Sequence, residues 1–323
     1  MRIAATIMAA MAMLVAAGPT RANPAENAAC DRMCLEAMVN TYLQAMLAKK
    51  VSALPLAPNV RFAENYQVLQ PGEGSWRTID GLGTYRHIFA DPQSGNVGFI
   101  GTVTEHGAHG FMDLRLKVRD HRIVEIESFL MRDPGAYARY EKMAKPEAAW
   151  FETEAPGARL DRAGLIRTVN KYFQSMQRND GLGDYSFFHP DCNRLEHALQ
   201  TTNLKTKEAY GHSSDTDFRS ESCEQQWKTG FLGFVTAIRN RRYLIVDEER
   251  QAVFAFATFD HNGTVRQLFQ TNGKTFVLPP WMNVPRTLQV NEAFKVRDGK
   301  LYRIEMTLIE LPYGTPPPWQ DVP

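Results

Sequence analysis

The chain has 323 residues, with 37 Lys and Arg against 36 Asp and Glu, four cysteines and 44% hydrophobic residues. Nucleic acid and anionic membranes both select basic surfaces, so a charge this balanced argues against either as a partner. The length suffices for two domains with ordinary cores.

Residues 1–22 begin with a basic residue, Arg2, run apolar from Ile3 to Ala17 and end on Thr20-Arg21-Ala22. This is the pattern of a secretory signal. The apolar run falls short of the roughly 20 residues needed to span a bilayer, and no later segment approaches that length. The expectation is a periplasmic or secreted protein, with no stable membrane insertion after signal removal and 35 bases against 36 acids in the mature chain. In an oxidising compartment Cys30, Cys34, Cys192 and Cys223 allow three pairings. Cys192 with Cys223 is the expected bridge, because both lie in the same half and close a 30-residue loop. The pairing of Cys30 and Cys34 stays open. No Cys/His spacing points to zinc. His106, His109 and Asp113 straddle a hairpin turn but have no matching set in the second half, so no metal and no cofactor are expected.

A repeat organises the rest. "DRMCLEAMVNTYLQAM" at Asp31 and "DRAGLIRTVNKYFQSM" at Asp161 agree at eight of sixteen positions. Pro58 and Glu64 then match Pro190 and Glu196 at an offset of 132, and Asp91, Val97, Thr102 and Gly107 match Asp247, Val253, Thr258 and Gly263 at 156. "KVRDHRIVEIE" and "KVRDGKLYRIE" lie 178 apart. The offset only grows, as a duplication with later loop insertions requires. The expected units are 23–133 and 161–314, with a linker at 134–160 and a Pro-rich tail at 315–323.

Leu35, Met38, Val39, Tyr42, Leu43, Met46 and Leu47 share one helical face, and Leu165, Val169, Tyr172, Phe173 and Met176 repeat it. Val97–Glu105, Phe111–Arg119 and Arg122–Leu130 read as strands joined by turns. Val253–Phe259 and the strands around Val296 and Ile304 restate that plan. Helix first and meander after argues an α+β unit.

A first helix carrying the repeated tyrosine, a strand acid about two dozen residues on and a terminal meander resemble the nuclear-transport-factor-2-like superfamily, which includes the ketosteroid-isomerase-like and SnoaL-like cones. "VRFAENYQVLQPGEGSW", "FADPQSGNVGFIG", "DCNRLEHALQTTN" and "RRYLIVDEERQAVFAFATFDH" look more narrowly like a tandem, signal-bearing family of unknown function. The resemblance implies two tandem cone-shaped units, each a curved antiparallel sheet wrapped around a long N-terminal helix and leaving an apolar pocket. It further implies pairing through the sheets, within the chain as a pseudo-dimer or with a second copy.

Tyr42 with Glu64 and Tyr172 with Glu196 are spaced 22 and 24 apart. In the ketosteroid-isomerase-like pattern such a tyrosine stabilises an oxyanion while the acid moves a proton. The second spacing is nearer that pattern, which favours Tyr172 and Glu196. Trp76, Trp227, His197, Arg194 and Arg61 are candidates for binding substrate. His197 and Glu196 are strand neighbours, so only one can face the pocket. The reading is an exported, cofactor-independent acid/base enzyme, an isomerase, dehydratase or lyase, acting on a small apolar oxygenated ring compound. The alternative is a non-catalytic carrier or sensor for such ligands.

Overall fold

The structure is a computed structural model and describes residues 30–204 and 218–319. The expected signal segment lies outside the described residues. The first unit contains α1 (Arg32–Leu47), β1 (Leu56–Glu64), β2 (Gln67–Leu69), β3 (Gly81–Asp91), β4 (Asn96–Glu105), β5 (Ala108–Arg119) and β6 (Arg122–Met131). Next comes α2 (Pro134–Met143). The second unit contains α3 (Arg162–Met176), β7 (Phe188–Glu196), β8 (Leu199–Gln200), α4 (Cys223–Lys228), β9 (Ala237–Asp247), β10 (Ala252–His261), the hairpin β11 (Gln267–Phe269) and β12 (Thr275–Val277), β13 (Arg286–Arg297) and β14 (Lys300–Pro312).

The two main sheets have the same topology, β2-β1-β6-β5-β4-β3 and β8-β7-β14-β13-β10-β9. Each is antiparallel apart from one parallel pair, β1 with β6 and β7 with β14. That pair is the parallel step in the otherwise antiparallel sheet, because the chain enters the sheet through β1 and β7 beside the strand that ends the unit. The registers superimpose. Phe62 pairs with Ile126 as Arg194 pairs with Ile304, and Phe99 pairs with Leu114 as Ala255 pairs with Glu292. The sequence offsets of 132, 156 and 178 are therefore also offsets of three-dimensional position.

The repeated Asp-Arg pair has a double use. Asp31 caps α1 by accepting from the Cys34 amide at 2.9 Å, and Asp161 caps α3 by accepting from the Gly164 amide at 2.7 Å, which satisfies an amide the helix itself leaves free. The neighbouring arginines cross to the other unit. Arg32 reaches Asp247 at 2.7 Å and Arg162 reaches Asp91 at 2.8 Å. These are one contact written twice, as a two-fold related interface demands.

The sheets meet face to face, and further contacts obey the same pseudo-symmetry. Asn291 donates to its own counterpart, Asp113, at 2.9 Å. Glu127 accepts from Arg242 at 2.8 Å and Glu305 pairs with His87 at 2.8 Å. His87 pairs with Ile100 across β3 and β4, and Arg242 pairs with Phe256 across β9 and β10. A register shift in β9 therefore brings Arg242, rather than Tyr243, to the place of His87. Tyr85, Phe89, Ile100, Phe111, Phe254 and Phe256 supply the apolar part of this seam. The opposite faces pack on α1 and α3, so β4 and β10 are buried on both sides and read as nearly continuous apolar runs.

Much of the expected linker is ordered structure. Asp133 accepts from the Ala136 amide at 2.9 Å and Pro134 opens α2, an arrangement that starts a helix. Ala136 and Tyr140 are buried among the seam residues.

Both cysteine pairs are bridged, Cys192 to Cys223 as expected and Cys30 to Cys34. The first ties β7 to α4 across a separation of 31 and the second spans only 4. Loop-closure entropy assigns them about 4 and about 2 kcal/mol. Among the described residues no helix is long and apolar enough to cross a membrane.

Candidate functional site

In the second unit α3 lays Tyr172 along the concave face of the sheet. β7 brings Arg194 and Glu196 to the same face two residues apart, and β13 brings Glu292. Tyr172 Oη donates to Glu292 Oε1 at 2.6 Å and accepts from Arg194 Nε at 3.0 Å. Arg194 Nη1 also donates to Glu196 Oε2 at 3.2 Å and to the Thr201 hydroxyl at 3.1 Å. Tyr172 and Glu196 thus share one network without touching. Glu292 is fully buried while the Glu196 side chain is 38% exposed, so the chain of groups runs from the depth of the cone towards solvent.

Burial dominates the electrostatics. It lifts the Glu292 carboxyl to about 7, against the opposing pull of Arg194, so near neutrality a large share of Glu292 carries a proton. Burial also raises the Tyr172 phenol well above its ordinary value, with Arg194 opposing and Glu292 assisting. Among the described residues, Oε2 of Glu292 and Nε1 of Trp227 have no hydrogen-bond partner. Such orphaned buried atoms are costly. The Trp227 ring packs on Tyr172 with centroids 4.9 Å apart.

Around this cluster the cone is filled rather than open. Tyr172, Phe173, Phe294 and Glu292 expose no surface to a water-sized sphere. The aromatic rings of α3, β7, α4 and β13 close on one another, which corrects the expected open pocket. Surface depressions lie beside Glu152, Lys295 and Arg297, and over Asn40 and Gln44 of α1 next to Lys50.

The first cone shows what the fold does without this cluster. Tyr42 is equally buried, and Trp76 meets it edge-on at 5.0 Å, as Trp227 meets Tyr172. The positions matching Arg194 and Glu292 hold Phe62 and Leu114, both in the apolar core. Burial raises the Tyr42 phenol, with a smaller push from Glu64. Glu64 itself holds a turn. It accepts from the Ser75 amide at 2.9 Å, from the Ser75 hydroxyl and from the Ser128 hydroxyl at 3.1 Å. Gly74 permits that approach, since a Cβ there would lie 2.6 Å from Glu64 Oε1 and its φ is +62°.

Other candidates lie off both cones. His197 occupies the turn after β7, with Nε2 against the Leu308 backbone and its ring 5.0 Å from Phe111 across the seam. Burial lowers its pKa. Arg61 is half exposed, pairs with Glu125 and lies over Trp319 at 4.9 Å. The set His106, His109 and Asp113 is dispersed. His106 sits on an exposed turn beside Asp80, His109 stacks on Tyr137, and Asp113 is buried at the seam. Glu292 was not singled out from sequence, though a signal existed: in "LQVNEAFKV" it alternates with Val290 and Phe294 on the core face.

No curated protein matches the chain. Solved structures similar to it include AclR of Streptomyces galilaeus, with 16% identity over 32% of this chain and 83% of that one and a TM-score of 0.28. A nuclear transport factor 2-like protein of unknown function from Cytophaga hutchinsonii aligns at 12% identity over 30% and 89%, with a TM-score of 0.26. A de novo designed protein of the nuclear transport factor 2 fold aligns at 17% over 35% and 95%, with a TM-score of 0.25. Each alignment takes in about a third of this chain. Residues 158–308, spanning the second helix-and-sheet unit from before α3 into β14, match the family model described as "Domain of unknown function (DUF8021)".

Proposed function

We propose that the second unit is the working half of an exported, cofactor-independent acid/base enzyme. One observation carries the reading: the same cone is built twice, and only the second copy replaces Phe62 and Leu114 with the buried ionisable side chains of Arg194 and Glu292. Buried ionic clusters seldom stabilise a fold beyond an apolar equivalent. The first cone is that equivalent, so the second keeps its cluster for a ligand.

The substrate class is a small, largely apolar ring compound bearing a carbonyl or hydroxyl oxygen. The ring takes the space of the Trp227 side chain once that indole swings aside. Tyr172 and protonated Glu292 then donate hydrogen bonds to the oxygen, where negative charge develops. Glu196, at the solvent side, removes a proton from the carbon next to the carbonyl. The C–H electron pair moves into an enolate stabilised by the two donors, and Glu196 returns the proton to another carbon or assists loss of a hydroxyl. Arg194 is a positioning residue that fixes Tyr172 and Glu196 together.

Exchange of the α-protons of 2-cyclohexenone in D2O, followed by NMR, tests the proton transfer, and 4-nitrophenol absorbance tests the oxyanion site. Glu196→Gln is expected to abolish exchange while 4-nitrophenol still binds, whereas Tyr172→Phe and Glu292→Leu weaken 4-nitrophenol at least tenfold. The alternative is a non-catalytic carrier or sensor for the same ligands. Binding of 4-nitrophenol without exchange above the solvent rate would establish the carrier reading instead.

A further inference from the structure

Cys30, Cys34 and His121 come together at the open end of the first unit, although His121 lies 87 residues beyond Cys34. Cys34 is in the first turn of α1, and His121 sits in the turn between β5 and β6 with φ +55°. The two sulfurs and a ring nitrogen of His121 all fall within 4.8 Å of one another, with Cys34 Sγ 3.6 Å from His121 Nδ1. With Zn–S near 2.3 Å and Zn–N near 2.0–2.1 Å, two ligands of a tetrahedral zinc stand about 3.5 Å apart. The Cys34-to-His121 edge of such a site is therefore already in place, the Cys30 sulfur lies within 4.8 Å, and the sulfur-to-sulfur edge is collapsed by the disulfide.

The two bridges of this protein differ in what protects them. Cys192 and Cys223 are buried, whereas Cys30 and Cys34 are only partly buried. The short bridge also closes a span of only 4 residues against 31, so much less chain entropy holds it shut. A reductant meets the short bridge first.

We propose that Cys30, Cys34 and His121 form a redox-gated site for a thiophilic d10 cation. A dithiol reductant gives two electrons and two protons to the disulfide, becomes a disulfide itself and leaves two thiols. Binding of Zn2+ then releases both protons as two thiolates and neutral His121 take up the ion, and a fourth position stays open. A small-molecule disulfide then takes two electrons from the two thiolates and two protons from water, becomes two thiols, and releases the ion as the Cys30–Cys34 bridge re-forms.

The full mature chain is treated with a water-soluble phosphine until mass spectrometry with alkylation shows Cys30 and Cys34 free and Cys192–Cys223 intact. Zn2+ is then titrated in competition with a chromophoric chelator. The expected result is one tight site per chain after reduction and none before. His121→Ala should weaken it at least tenfold, and Cys34→Ser should abolish it. Circular dichroism confirms that each variant is folded, and a His121→Cys chain should regain tight binding after reduction. Zinc binding that is equal before and after reduction, or unchanged in reduced His121→Ala, overturns the proposal. So does a reduced wild-type chain that binds no zinc.

Discussion

Replacing the second cone's cluster by the first cone's residues, Arg194→Phe with Glu292→Leu, is the sharpest test of why the cluster exists. The wild-type chain pays for Glu292 in a pH-dependent way. Its carboxyl is lifted from 4.5 to about 7 in the folded state, so between those pH values the folded protein holds a proton that the unfolded chain has lost. The stability Glu292 contributes is thus fully present below pH 4.5 and is lost as pH rises through 7, a change of about 3 kcal/mol. The double variant lacks this titration. Its stability relative to wild type should rise by about 3 kcal/mol between pH 4 and pH 8, read from urea unfolding midpoints at several pH values. Asp113, also lifted to about 7 by burial, stays in both proteins and cancels from the difference. At pH 8 the variant should be as stable as wild type or more so, by up to about 4 kcal/mol, while 4-nitrophenol binding is gone. A variant that unfolds more easily than wild type at pH 8, or a flat difference across the pH range, would refute the claim that the cluster is held at a cost to stability.

At the seam the sign reverses. Burial opposes ionisation of Glu127, but Arg115 and Arg242 overcome it and hold the carboxyl down at about 2. Its stabilisation is present above pH 4.5 and lost as pH falls through 2, so Glu127→Gln should cost about 3 kcal/mol near neutrality. In urea unfolding the gap between Glu127→Gln and wild type should narrow as pH drops from 5 to 2. The two disulfides should be unequal in thermal unfolding. Replacing Cys192 and Cys223 with alanine should cost about 4 kcal/mol, and replacing Cys30 and Cys34 about 2 kcal/mol.

Much of this architecture was legible because duplication prints the same physics twice. Helical spacing of Val39, Tyr42 and Met46, repeated at Val169, Tyr172 and Met176, gave the helices their buried face, and the offsets between copies became strand registers. What stayed hidden was contact across the fold. Arg32 with Asp247 and Arg162 with Asp91 involve residues marked as repeated, yet nothing local says that each arginine serves the other unit. The linker reading of 134–160 passed over Asp133-Pro134, which caps and opens a helix. The expected pocket failed on volume. Spacing predicts which side chains face inward but not that Phe173, Phe188, Trp227 and Phe294 together fill the space they surround.

The division between repeated and unrepeated residues also separates architecture from chemistry. Asp31 and Asp161, Arg32 and Arg162, and Asp91 and Asp247 are identical in the two units and do identical work, capping helices and closing the seam. Tyr42 and Tyr172 are identical too, but Tyr42 packs in an apolar core that includes Phe62 and Leu114 while the Tyr172 hydroxyl sits between a guanidinium and a carboxyl. The repeated tyrosine is therefore first a packing residue, required by both helices whatever the cone contains. The copies diverge in what surrounds that phenol. Two substitutions facing one phenol, Arg194 and Glu292, convert a core aromatic into a polarised donor. The first unit keeps its apolar cone and, through the shared seam, supports the sheet from which Glu292 projects.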